Sequence, residues 1–331
     1  MKKNHIKLIA LLFSLFIAFN SCNKDDSLFE DQTTDNTNTG DFDDNPSGEI
    51  GESGEITLYR IQGENIEKIK DYKVTGNDLK LQKDTNKHQE IWTLVKEIIP
   101  LSHRNRINEF VLYNGEKGES AGYVVQSSQD LSTWQMGIAI DYAYEGGFNT
   151  NGELAYTIIH EFGHVLTLDK TQVDSGISET DCGTFFTGEG CSREAAFINQ
   201  SYNKYWKDIW TEFTNAGEDQ TKQEAFYTKY SSRFVTNYAS TNPGEDSAEV
   251  FAVFVTSKDK PNGNTMADQK INLMYTYPEL VSLRDYIRGH LNSNAKSVKS
   301  ESGTNRSFLP EPGSWKQASS YGKADKLHCS H

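Results

Sequence analysis

The 331-residue chain has no uninterrupted run of about 20 apolar residues, which is the length a membrane-spanning helix needs. It is short of positive charge, with 33 Lys and Arg against 47 Asp and Glu and a net charge of −14. That balance makes nucleic acid and anionic lipid head groups poor partners. No internal repeat is visible. Only four cysteines are present, at 22, 182, 191 and 329. Residues 23–53 have almost no large apolar side chains. Such a stretch cannot bury enough surface to offset its ordering entropy.

The apolar stretch that does exist, Leu8 to Phe19, follows a basic start with Lys2, Lys3 and Lys7. It is too short to span a bilayer and reads as a secretory signal. Its removal takes the net charge to about −17. The run closes on Ser21 and Cys22, which resembles a bacterial lipoprotein signal, although Phe19 and Asn20 match the usual lipobox loosely. The resemblance implies that Cys22 carries the lipid; ordinary secretion with Cys22 unmodified is the alternative. Attachment of two or three acyl chains makes anchoring stable. The division expected is a signal peptide (1–21), a disordered acidic tether (22–53), a folded domain (54–295) and a polar tail (296–331). In the tail, Cys329 lies beside His328 and His331; either a disordered chain end or a metal tract reads that way. Asp25 and Asp26 resemble a surface-export signal, and a plain solvated linker is compatible with them.

Alternation predicts a strand over Ile56–Arg60, and helical spacing predicts a helix over Lys87–Ile99 stopped by Pro100. Strands are expected at Glu109–Tyr113, Ala121–Gln126 and Trp134–Asp141, then a helix from about Gly152 to Leu168. A loop from Asp169 to about Ser192 carries Cys182 and Cys191, whose pairing in an oxidising compartment stays open. One aromatic-rich helix is expected from Arg193 to about Asn215, another over Gln220–Tyr230, another from near Pro243 to about Thr256, and one or two within Gln269–Leu291, with mostly irregular chain from Asn292. Strands first and helices after is an α+β pattern.

The chemistry concentrates in His160-Glu161-Phe162-Gly163-His164. On a helix, residues four apart share a face, so both imidazoles can reach one zinc ion. Glu161 then stands beside the open coordination position, where it can take a proton from water acidified by the metal. By chance, this composition yields such a motif about once in 100 chains of this length. Gly163 costs about 1 kcal/mol inside a helix, so something is expected to pack closely against that turn.

The third ligand is open at this point. Thr167 and Lys170 stand where a metzincin has glycine and histidine, which removes that class. His88, His103 and His290 read as surface residues, and Asp169, Asp174, Glu179 and Asp181 as solvated loop acids. Glu245 and Glu249 lie four apart after Pro243, a residue suited to a helix start. An acidic helix start favoured by the macrodipole is the bland alternative.

A helix with His-Glu-x-x-His followed by a helix with Glu-x-x-x-Glu resembles the gluzincins. That resemblance implies Glu245 as the zinc ligand and Glu249 as the acid that orients a ligating histidine. The segment Tyr238–Phe251 is similar to the corresponding part of anthrax lethal factor, which implies that Tyr238 faces the substrate carbonyl. The whole chain resembles zinc metallohydrolase lipoproteins associated with substrate import. The expectations that follow are a zincin-like fold, with a small N-terminal mixed sheet and a mostly helical remainder, and lipid anchorage at a bacterial outer membrane, on the cell surface or its periplasmic face. A TonB-dependent porin and a substrate-binding lipoprotein are the implied partners, and a peptide or protein is the expected substrate. The strand Trp134–Asp141 is expected to be the sheet edge that receives it. A non-catalytic zinc-containing binding lipoprotein and a hydrolase of a non-peptide amide or ester are the rival readings.

Overall fold

The computed structural model describes residues 48–149 and 152–297. The signal, Cys22, most of the tether and the Cys329 tail lie outside the described residues. Strands β1 (Glu55–Gln62) and β2 (Asn65–Asp71) form a hairpin, followed by helices α1 (Gly76–Lys83) and α2 (Thr85–Ile98) and the single turn α3 (Leu101–Arg104). Strand β3 (Ile107–Tyr113), the turn α4 (Gly115–Gly118), β4 (Gly122–Gln126), β5 (Trp134–Ala139) and the turn α5 (Ile140–Ala143) lead into the motif helix α6 (Glu153–Leu168). A loop with the short pair β6 (Val173–Asp174) and β7 (Cys191–Ser192) comes next. The remainder is helical: α7 (Phe197–Tyr205), α8 (Trp210–Ala216), α9 (Gln220–Tyr230), α10 (Pro243–Thr256), α11 (Met266–Met274) and α12 (Pro278–Ser297).

The five-stranded sheet has the order β2-β1-β3-β5-β4, with β3 and β5 parallel and the other pairs antiparallel. The fold is therefore α+β, with strands early and helices late. Among the described residues, no helix is long and apolar enough to cross a membrane. Helix α6 is buried almost all round, including its His160, Glu161 and His164. It touches β4 and β5 on one side and α10 on the other.

Three expectations change, and two elements are additional. Trp134–Ala139 is not an edge: β5 lies between β3 and β4, and β4 ends the sheet. The helix expected over Arg193–Asn215 is two, broken between Tyr205 and Trp210 so that Trp206 and Ile209 both turn into a second aromatic cluster with Phe226 and Phe234. Helix α12 continues through Asn292 to Ser297, a stretch with no glycine or proline to stop it. Strand β2 and helix α1 were not expected, because β2 is a mostly exposed edge and α1 buries the polar Asp78 and Gln82.

Candidate metal centre

Helices α6 and α10 meet at Gly163. A methyl group there would lie 3.1 Å from Ala248 Cα and 3.2 Å from a ring carbon of Phe251. The missing side chain thus sets the separation of the two helices, and Ala248 lies between Glu245 and Glu249. Helix α10 begins where its sequence says. Pro243 occupies the first turn, and the Asn242 side chain caps the helix by accepting from Glu245 N–H at 2.9 Å. Its far end is held by α12: Arg284 Nε donates to Phe254 O and Arg288 Nη1 to Val255 O, both at 2.8 Å. Cations there also complement the helix dipole.

This packing brings three lone-pair atoms to one point. His160 Nε2 is 3.2 Å from His164 Nε2 and 3.2 Å from Glu245 Oε2, and His164 Nε2 is 3.3 Å from the same oxygen. A tetrahedral ion with bonds of about 2.0–2.1 Å holds its ligand atoms about 3.3–3.4 Å apart, so the triangle has the size of one ion's ligand set. Glu245 Oε2 is buried and makes no well-formed hydrogen bond, which fits an atom oriented toward a cation. The three residues are buried and could hold a metal ion.

Comparison with family models, curated proteins and solved structures finds no match for this chain. The site is therefore read from its own geometry.

His160 Nδ1–H donates to Glu249 Oε1 at 2.8 Å, which turns Nε2 toward His164 and Glu245. Burial works against charge on His160, but the Glu245 and Glu249 carboxylates outweigh it and hold its pKa well above the usual histidine range. Burial likewise opposes ionisation of Glu245, and the two imidazoles overcome it, keeping its carboxyl well below the usual range. The pocket thus favours positive charge among these donors. Glu249 is itself supported: Thr236 Oγ1 donates to its Oε2 at 2.6 Å, and Tyr156 Oη lies 3.4 Å from both oxygens.

Glu161 is buried and lies against the sheet edge. A methyl on Gly122 of β4 would be 2.6 Å from Thr157 Cγ2 and 3.3 Å from Glu161 Oε1. Tyr238, in a 3-10 turn over Tyr238–Ser240, has its ring centroid 5.8 Å from that of His160. The structure therefore brings His160, His164, Glu245, Glu249, Glu161 and Tyr238 into one region.

Two expectations about the alternative ligands are corrected. His88 is not a surface residue: it is buried, with Tyr59 Oη 2.6 Å from Nδ1 and Leu81 O 2.8 Å from Nε2. Asp169 is not solvated: it is buried and paired with Arg106 at 2.7 Å. Neither belongs to the triangle. Cys182 and Cys191 form a disulfide that closes the loop after α6.

Residues of the site that were not read from sequence are Gly122, Tyr156, Thr236, and the buried Asp246 with Lys270. Lys270 Nζ is 2.6 Å from Asp246 Oδ2, to which Trp206 Nε1 donates at 2.7 Å. Asp246 follows Glu245 directly, so this pair anchors the first turn of α10. No local signal marks these partnerships, which join residues 13 to 93 apart in sequence.

Proposed function

We propose that this chain is a zinc metallohydrolase of zincin type, with peptides as its substrate class. The observation that carries the reading is the buried His160–His164–Glu245 triangle, with Glu161 one residue from its first histidine. Two imidazoles and one carboxylate leave a fourth position open, the ligand count of catalytic zinc; closed structural sites favour thiolates. Zinc bound there supplies Lewis acidity, which brings the pKa of a water molecule to about 7 and polarises a carbonyl.

The chain's own residues supply the proton chemistry. Glu161 accepts the proton of the attacking water and passes it to the leaving amine. The Tyr238 hydroxyl donates a hydrogen bond to the oxygen on which negative charge develops, a contact worth roughly 10²- to 10³-fold in rate. Glu249, bonded to His160 Nδ1, would keep that ring's Nε2 available to a bound ion.

The receiving edge is β4. Ala139 N–H bonds to Ala121 O, and Ser127 N–H to Thr133 O. In an antiparallel pair, bonded and non-bonded positions alternate. Tyr123 and Val125 therefore point their backbone groups at β5, while Gly122, Val124 and Gln126 point theirs outward. An extended peptide can pair with those three and pass Glu161 at Gly122. Lipid attachment at Cys22, an outer-membrane location and partnership with an import porin rest on the sequence resemblance alone.

A peptide-library digest with zinc-loaded protein tests this reading. Wild type should cleave a defined subset, and Glu161→Gln should keep its zinc and lose turnover. Cleavage by Glu161→Gln at the wild-type rate would overturn the mechanism. If wild type cleaved no peptide, a binding role would replace it.

A further inference from the structure

Thr236 ties two parts of the site together through one side chain. It lies outside both motif helices, in the segment between α9 and α10. Its hydroxyl donates to Glu249 Oε2 at 2.6 Å and accepts from Ala239 N–H at 3.1 Å. Glu249 uses its other oxygen on His160 Nδ1 at 2.8 Å. Ala239 belongs to the 3-10 turn that begins with Tyr238. One hydroxyl thus connects the carboxylate that orients a candidate ligand with the backbone that presents Tyr238. We propose that Thr236 is a positioning residue, which fixes Glu249, and through it His160, while pinning the Tyr238 turn. This rests on the metal-centre reading above.

The physical case is one of donor supply. Glu249 is buried, and the oxygens of a buried carboxylate need hydrogen-bond donors. Its bond to Thr236 is much shorter than the 3.4 Å contacts from Tyr156. With the threonine hydroxyl removed, the carboxylate can rotate off His160 Nδ1, and the ring loses its fixed orientation. The amide of Ala239 loses its acceptor in the same step. Outer partners of this kind typically change metal affinity by about 10- to 100-fold.

Thr236→Val keeps the side chain's shape and removes only the hydroxyl. Zinc affinity, measured by competition with a chromophoric chelator on the full chain, should fall about 10-fold or more. Thr236→Ser should restore it. The loss should vanish in a Glu249→Gln background, because there is then no carboxylate to hold; a merely structural role would leave the same loss in both backgrounds. Amide exchange at Ala239 should quicken in the metal-free Thr236→Val protein. Wild-type zinc affinity in Thr236→Val, or an equal loss with and without Glu249, would overturn the proposal. Failure of wild type to bind zinc would instead overturn the metal-centre reading, and this proposal with it.

Discussion

Replacing Asp246 with Asn should destabilise the protein by about 3–5 kcal/mol at pH 7. Asp246 and Lys270 are both fully buried, and their charged atoms lie 2.6 Å apart. Burial pushes the Asp246 carboxyl up and the Lys270 ammonium down, each shift being opposed by the partner's charge. Asparagine keeps an acceptor for Trp206 Nε1 but leaves the ammonium without a counter-charge. It can stay charged, at the cost of an uncompensated buried ion. Otherwise the chain folds with a neutral amine, which costs about 1.4 kcal/mol for each pH unit below about 10.4, or roughly 4–5 kcal/mol at pH 7. The two routes agree in size at neutral pH and differ in pH dependence. On the neutral-amine route the unfolded chain binds one more proton than the folded one, so stability rises with pH and the loss shrinks to about 2 kcal/mol at pH 9. Urea unfolding in the presence of a chelator, at both pH values, reads this directly. The double variant Asp246→Asn, Lys270→Met should recover most of the loss, since no charge is left unpaired. A loss under about 1 kcal/mol at pH 7 would refute the reasoning, while one unchanged at pH 9 would assign the charged-ammonium route.

Three further outcomes follow from named contacts. Gly163→Ala gains about 1 kcal/mol of helix propensity, yet its methyl meets Ala248 Cα at 3.1 Å, so α10 must give way; zinc affinity should drop even where the melting temperature does not, as titration and calorimetry together would show. Burial holds the His88 pKa below the usual histidine value, so the unfolded chain takes up that proton first as pH falls. Stability should therefore decline as pH drops below about 6.5, with a shallower decline in His88→Gln; equal slopes in thermal melts from pH 8 to 5 would refute this. Replacing Cys182 and Cys191 with serine opens a loop with a sequence separation of 9. This should cost about 2–3 kcal/mol on the loop-entropy model, read from urea midpoints.

Where local pattern carries the information, the helices are readable to within a residue or so. Gln220–Tyr230 and Pro243–Thr256 are the helices α9 and α10 with those bounds, the second because Asn242 and Pro243 mark its start chemically. The glycine in the motif pointed to a close neighbour, and Ala248 is that neighbour. What was missed depends on distant partners. Strand order is not written in Trp134–Ala139, whose apolar character suits an interior strand, and the edge fell to β4. His88 and Asp169 look solvated in sequence and are buried because Tyr59, Leu81 and Arg106 meet them from elsewhere in the chain. Lys270 sits in an unremarkable polar stretch, yet is buried because Asp246 neutralises it.

Zinc stoichiometry and affinity across five proteins test the central claim most directly. Wild type should bind one zinc per chain. His160→Ala, His164→Ala and Glu245→Ala should each lose that binding, since each removes one corner of a triangle with sides of 3.2–3.3 Å. Glu161→Gln should retain it. Wild-type zinc affinity in Glu245→Ala would contradict the account.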